Sequence, residues 1–375
     1  MKILMLLSKE FMFDLRVYNE AVALKKAGHE IRIILWDRLK QYKEKDTVDG
    51  FKIYRIHNSS FMKLLPGNIL RNPVWWYRSY KKGLALYKNG FDFDVVHCHD
   101  LDTLPAGVWF KKKTGCKLVY DAHEIFGYMI QENVSPFFVN IAFYLEKKLV
   151  KKVDYIITVN EKLRKYFKKI SNAPIILVMN CKDLISKTYK SPRNKIFTVC
   201  YIGGLHRRRF FPDIVDTIGQ IENIKFVIGA KKEHLKLFNK VKKNSSKYGN
   251  VEFLGQIPKD EVVSYTCKSD VVLCPLDPNS MISKIATANK QFEAMVCGRP
   301  IICTKNTNPG DLTDKLQCGI IVDYDLTEIK RAIVKLSKNP ELCEKLGRNA
   351  LKAAVDKYNW QKQKNNLLNV YRNLN

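Results

Sequence analysis

The sequence predicts an α/β protein of two domains, each a mainly parallel sheet covered by helices. Three observations carry this prediction. Short apolar runs alternate with longer amphipathic stretches along most of the chain, the pattern of repeated β–α–β units. The alternation lapses once, over a polar stretch near residues 182–195, and then restarts. The length of 375 residues suits two domains, and 46% hydrophobic residues supply apolar surface for two cores.

The elements follow in order. Lys2–Leu7 reads as a buried strand. Its apolar run is short and Lys9-Glu10 follows directly, so a strand fits better than a secretion signal. Arg16–Ala27 sets Val17, Ala21, Leu24 and Ala27 at helical spacing, and Gly28 supplies the stop. Further strands are expected at Glu30–Trp36, Phe51–Ile56, Val95–His97, Lys117–Asp121, Tyr155–Val159 and Ile175–Val178, with helices at Leu101–Lys112 and Asn140–Lys151. The first domain is expected over 1–182 and a linker over 183–195. In the second domain, 196–357, Ile196–Ile202, Lys225–Ile228, Val251–Leu254, Val271–Cys274, Pro300–Cys303 and Gly319–Val322 read as strands. Phe211–Gln220, Lys232–Lys243, Lys259–Cys267, Lys290–Cys297 and Leu326–Leu336 read as the helices between them. Two helical stretches, Pro340–Tyr358 and Gln361–Leu374, close the chain. Two open α/β domains on a linker imply a cleft, with ligands at the carboxyl ends of the strands.

Composition narrows the partners. Sixty-five Lys and Arg against 37 Asp and Glu leave a net charge of +28, which argues for anionic company: nucleic acid, an anionic membrane face or phosphorylated substrates. No run approaches the ~20 apolar residues needed to span a bilayer. The ten Cys are scattered singly, with no C-x-x-C pair, so a reducing cytoplasm fits and a disulfide framework does not.

Four clusters carry candidate chemistry. Tyr201-Ile202-Gly203-Gly204 ends a strand and leads through Arg207, Arg208 and Arg209 into a helix. Paired glycines allow close backbone approach, and fixed charge beside a helix start suits a diphosphate. The alternative is a solvated basic turn. In the second cluster Asn289-Lys290 opens a helix that carries Glu293, either a helix-start charge or an acceptor for a ribose diol. The third comprises His97, His99, Asp100 and Asp102 with the Tyr120–Glu124 strand end. Its histidines and aspartates invite a metal reading, but Asp at a helix start usually caps the helix, and no metal site is expected. His123 there is placed to donate to a sugar or phosphate oxygen, or is structural. In the fourth, Asp14 and Arg16 open the first helix. Arg16 opposes the helix dipole, which either a bound anion or a salt bridge with Asp14 or Glu20 would explain.

These clusters, in this order, resemble the family 4 retaining glycosyltransferases of the GT-B architecture, over essentially the whole chain. The most specific match is Phe292-Glu293-Ala294-Met295 through Gly298-x-Pro300-Ile301-Ile302. Phe253-Leu254-Gly255 resembles the strand turn beside the base, and Tyr358-Asn359-Trp360 resembles the start of a tail, 358–375, that returns to the first domain. Where the family commonly carries a first Glu, with seven residues between it and the second, this chain has Ile285. The resemblance implies two Rossmann-like domains and metal-independent transfer from a nucleotide diphosphate sugar to a glycan or lipid-linked acceptor, with no cofactor. It implies donor contacts from Gly203, Gly204, Arg207, Arg208, Arg209, Gly255, Asn289, Lys290 and Glu293, an acceptor side at Asp14 and Arg16, and catalytic roles for His123 and Arg209. A nucleotide-sugar epimerase or a non-catalytic relative of the same fold is the nearest alternative. A nucleic-acid binder fits less well, because Lys and Arg are spread through both domains. Aromatics interleaved with Lys and Arg over Phe61–Pro66, Asn72–Lys82 and Pro136–Lys152 suggest peripheral contact with the inner face of a membrane; the competing reading places Trp75, Trp76 and Phe143 in the core.

Overall fold

The computed structural model describes residues 1–374; Asn375, the last residue of the expected tail, lies outside the described residues. The chain divides into two compact units. One is Met1–Met179 with the chain from Gln363 onward, and the other is Asn180–Lys362.

The first unit holds an eight-stranded sheet: β1 (Lys2–Leu7), β2 (Glu30–Asp37), β3 (Lys45–Val48), β4 (Phe51–His57), β5 (Val95–His99), β6 (Lys117–Ala122), β7 (Tyr155–Thr158) and β8 (Ile175–Leu177). Their order is β3-β4-β2-β1-β5-β6-β7-β8, parallel throughout except where β3 meets β4. β1 is buried over Ile3–Leu7, as a central strand with both faces covered must be. β3 escaped the sequence reading because its Lys-Asp-Thr-Val run has no apolar periodicity. It is a short, charged edge strand, the kind that discourages edge-to-edge pairing.

The second unit holds six parallel strands: β9 (Phe197–Gly203), β10 (Ile224–Ala230), β11 (Val251–Gly255), β12 (Val271–Cys274), β13 (Ile301–Thr304) and β14 (Gly319–Val322), in the order β11-β10-β9-β12-β13-β14. Both sheets therefore reverse their winding once, between β1 and β5 and between β9 and β12. Open α/β sheets bind ligands beyond the strand ends at such points. The residues after β1, β5 and β6, and those after β9, are thereby singled out by topology alone.

Several helices fix what surrounds these points. Leu15–Lys26 is capped by Asp14, whose side chain accepts from the Val17 amide, and buries Val17, Ala21 and Leu24. The aromatic, basic stretch Asn72–Lys82 lies within one 22-residue helix, Gly67–Lys88, with Pro73 inside it. Trp75 is fully buried and stacks on Trp36 at 5.6 Å, and the Trp75 and Trp76 ring N–H groups both donate to the Asp102 carbonyl. Trp75 thus belongs to the core and not to a membrane-facing surface. In the second unit, Asn289–Cys297 ends at Gly298 with φ +64°. Pro340–Asp356 crosses there so closely that a Cβ on Gly347 would lie 2.5 Å from the Gly298 carbonyl oxygen. Residues 183–195 are irregular but fastened: Arg299 donates to the Lys190 carbonyl at 2.9 Å and Asn194 to Asp270 at 2.9 Å.

Among the described residues no helix is long and apolar enough to cross a membrane. The ten cysteines are free thiols.

One buried acid makes the stability of the first unit depend on pH. Glu146 is 0% exposed and accepts from Tyr120 and Tyr166, each at 2.9 Å. Burial pushes its carboxyl from the usual 4.5 up to about 7, against the opposing pull of the two hydroxyls. The folded chain therefore holds this proton more tightly than the unfolded chain. Stability is full below about pH 4.5 and falls as pH rises through 7, with a ceiling of ~3 kcal/mol. Glu146→Gln is expected to flatten the fall in Tm between pH 5 and 8, as followed by calorimetry. An unchanged pH profile would refute this assignment.

Candidate functional site

Each unit presents a polar cluster at its switch point. In the second unit, β9 ends at Gly203 with φ +154°, where a Cβ would stand 3.4 Å from Lys290 Nζ. Lys290 is 8% exposed, its Nζ sits 3.5 Å from the centre of the Tyr201 ring, and it has no hydrogen-bond partner. Stacking on an aromatic face offsets part of the desolvation of an ammonium but supplies no counter-charge. Arg209 lies on the same loop. Its Nη1 donates to the Gly204 carbonyl at 2.9 Å and to the Tyr201 hydroxyl at 3.2 Å. The Tyr201 hydroxyl in turn donates to the Gly204 carbonyl at 2.5 Å. Tyr201, quoted in the sequence motif but assigned no role, is thus the piece that orders the loop.

Arg207–Arg209 form a short 3-10 turn, with Arg207 and Arg208 exposed. Asn289 opens the Lys290 helix and accepts from Asn180 at 3.0 Å. Glu293, 7% exposed, faces Lys182 Nζ at 3.4 Å. Gly255 turns the chain at the end of β11 with φ +68°, where a Cβ would stand 3.8 Å from Phe238. The expected donor residues Gly203, Gly204, Arg209 and Lys290 are therefore brought together around Tyr201. Ile285 ends a short helix, Met281–Ile285, that contains no carboxylate.

In the first unit Asp121, at the end of β6, is the hub. Arg16 Nη2 donates to its Oδ1 at 2.6 Å. Its Oδ2 faces His99 Nδ1 at 3.5 Å, His123 Nε2 at 3.5 Å and His97 Nε2 at 3.7 Å. Arg16 also pairs with Glu20 at 3.0 Å and donates to the Val178 carbonyl at 2.6 Å. At 5% exposure, its guanidinium is committed inside the unit. The salt bridge to Glu20, one of the two sequence readings, is present, joined by an Asp121 partner that spacing could not show. Asp14 is likewise occupied, pairing with Lys9 at 2.8 Å besides capping its helix.

Asp100 is not a helix cap. With φ +62° it turns back so that its Oδ1 accepts the His123 amide at 3.1 Å, while Thr103 precedes the Leu104–Thr114 helix. His123 and Asp100 are the partly exposed members of the cluster, with 14% and 19% of their side chains accessible. Burial disfavours the charge on His123 and Arg16 adds to that, but Asp100 and Asp121 outweigh both and hold its pKa above the usual imidazole value. Burial keeps His97 below its usual value and pushes His99 down to about 3, so both are neutral. Burial favours a proton on Asp121, yet Arg16 and His123 hold the carboxyl well below its usual range.

Comparison with known proteins agrees with this architecture. Residues 15–184 match the model of Glycosyltransferase Family 4, and residues 196–339 match that of Glycosyl transferases group 1. An uncharacterized glycosyltransferase of Methanocaldococcus jannaschii is 24% identical over 341 residues, covering 84% of this chain and 82% of the relative. The sucrose-phosphate synthase of Thermosynechococcus elongatus superposes with a TM-score of 0.76 at 15% identity, over 100% of this chain and 98% of that one. Anabaena HepE in complex with UDP superposes with a TM-score of 0.70 at 15% identity over 100% of both chains. Two parallel-sheet units with polar clusters at their switch points, and two glycosyltransferase models in tandem, define the class. The chain is a glycosyltransferase of the GT-B fold, built from two Rossmann-like domains.

The unpartnered ammonium yields a test. Lys290→Met is expected to leave Tm unchanged or raised, because it removes an unneutralised buried charge. Affinity for inorganic pyrophosphate is expected to fall roughly 10–100-fold, the worth of one charge-assisted hydrogen bond. Calorimetric titration and thermal melts measure both. Reduced stability with unchanged affinity would show that Lys290 serves the fold alone.

Proposed function

We propose that this glycosyltransferase moves a sugar from a nucleotide diphosphate sugar, with retention at the anomeric carbon, to a glycan or lipid-linked acceptor. The observation that carries the reading is the Lys290 ammonium, buried over Tyr201 beside Gly203 and without a protein partner. A diphosphate is the anion that a glycine-lined strand end, a buried ammonium and an arginine turn suit together. A second support is that the Anabaena protein of the same fold is described in complex with UDP and with UDP-glucose.

In this reading Lys290, Arg209 and the Arg207–Arg208 turn hold the diphosphate, Asn289 lies beside it, Gly255 borders the base and Glu293 accepts from the ribose diol. The bond from the anomeric carbon to the diphosphate oxygen breaks, and the acceptor oxygen bonds to that carbon on the same face. The acceptor's proton passes to the departing phosphate oxygen. The charge that grows on the leaving group is met by Arg209 and Lys290, so no metal is required there and the protein supplies no nucleophile. His123, held by Asp100 and Asp121, serves the reacting sugar and acceptor. Asp14 and Arg16 act by building the wall behind it.

Glu293→Ala is expected to raise the donor dissociation constant roughly 10–150-fold, the equivalent of ~1.5–3 kcal/mol. Arg209→Ala is expected to lower kcat more than it weakens binding. Unchanged donor affinity in folded Glu293→Ala would remove Glu293 from the donor site. Labelled-donor product analysis separates transfer from epimerisation.

The acceptor reading rests on a surface. Phe137, Ile141 and Tyr144 are 67%, 37% and 63% exposed along the Pro136–Leu149 helix, which leads into Lys147, Lys148, Lys151 and Lys152. Aromatics beside lysines suit the interface of an anionic leaflet, each Lys contributing ~1 kcal/mol. Co-sedimentation with phosphatidylglycerol vesicles is expected at low salt, and is expected to weaken at high salt and in Phe137→Ser/Tyr144→Ser. Absence of binding at low salt would leave a freely diffusing acceptor.

A further inference from the structure

Buried polar atoms almost always find hydrogen-bond partners, and a group of them that does not calls for water or an ion. The first unit contains such a group. Glu20, His97 and Asp121 are 0% exposed and His99 is 3% exposed. One ligand atom from each lies within 4.8 Å of the others. Glu20 Oε2, His97 Nε2, both His99 ring nitrogens and Asp121 Oδ2 make no hydrogen bond, while Glu20 Oε1 is ion-paired with Arg16 Nε at 3.0 Å.

The geometry is that of a ligand set. Asp121 Oδ2 stands 3.5 Å from His99 Nδ1 and 3.7 Å from His97 Nε2. Tetrahedral zinc, with bonds of about 2.0–2.1 Å, holds neighbouring ligand atoms roughly 3.3 Å apart. The outer atoms of His97, Asp121 and Glu20 are held as those of metal ligands commonly are. The Tyr371 hydroxyl bonds His97 Nδ1 at 2.7 Å, which fixes the ring and leaves Nε2 facing inward. Arg16 engages one oxygen of each carboxylate, Asp121 Oδ1 at 2.6 Å and Glu20 Oε1 at 3.0 Å.

We propose that Glu20, His97, His99 and Asp121 bind one zinc ion. Two imidazoles and two carboxylates suit zinc, and four protein ligands with no solvent-facing position define a structural site, not a catalytic one. The ion ties the Leu15–Lys26 helix to the ends of β5 and β6, from which Asp121 and Asp100 hold His123. It takes no part in neutralising the diphosphate, and the proposal does not depend on the transfer reading.

Elemental mass spectrometry of untagged protein tests it. Wild type is expected to carry about one zinc per chain, and His97→Gln/His99→Gln at least ~10-fold less. Should that variant fail to fold, wild type refolded with Co²⁺ in place of zinc decides: uptake of one ion with the visible absorption of a tetrahedral nitrogen–oxygen site supports the proposal. Wild type that carries no metal and takes up neither Zn²⁺ nor Co²⁺ on refolding overturns it. So does a full complement of zinc in the folded double variant.

Discussion

The Lys290 ammonium lies on the face of Tyr201 inside the second unit, and the rest of that site is arranged around it. An ammonium removed from water is tolerated only with compensation, and an aromatic ring compensates in part. The nearest candidate on its own helix, Glu293, faces Lys182 instead. The remaining charge is therefore available to a ligand. The neighbouring parts serve the same end. Gly203 keeps side-chain bulk from the ammonium, Arg209 and Tyr201 pin the Gly204 carbonyl, and the Gly298–Gly347 contact fixes the helix that carries Lys290.

The first unit resolves its buried charge differently. Arg16 is satisfied within the fold by Asp121, Glu20 and the Val178 carbonyl, so its role is to organise others. It keeps Asp121 ionised, and Asp121 with Asp100 favours the charged form of His123. The two units thus divide the work: one leaves a cation for an anionic ligand, while the other uses a cation to set the state of a histidine.

Much of this was legible in the sequence, for identifiable reasons. Buried parallel strands such as β1, β5 and β12 are continuous apolar runs, and the glycines after β9 and at Gly298 punctuate them. Topology singles out strand ends, which is why Gly203, Arg209 and His123 could be selected, and Lys290 stood out at a helix start. Contacts between distant segments were not legible. Nothing in the spacing around Arg16 points to Asp121, or in Tyr371 to His97, because the packing of the first and last helices against the sheet brings them together. The Gly67–Lys88 helix was obscured by Pro66 and Pro73, and Trp75 read as an interface residue because burial against Trp36 is a tertiary fact. The Asp100 turn, with φ +62°, mimics a helix cap in sequence but serves the His123 amide.

The account turns on where the diphosphate lies. A crystal structure with a bound nucleoside diphosphate tests it most directly. The result expected is phosphate oxygens within hydrogen-bonding distance of Lys290 Nζ, next to the Gly203–Gly204 backbone, with the ribose hydroxyls on Glu293. A diphosphate bound elsewhere, with Lys290 still on Tyr201 and still without a partner, would contradict it.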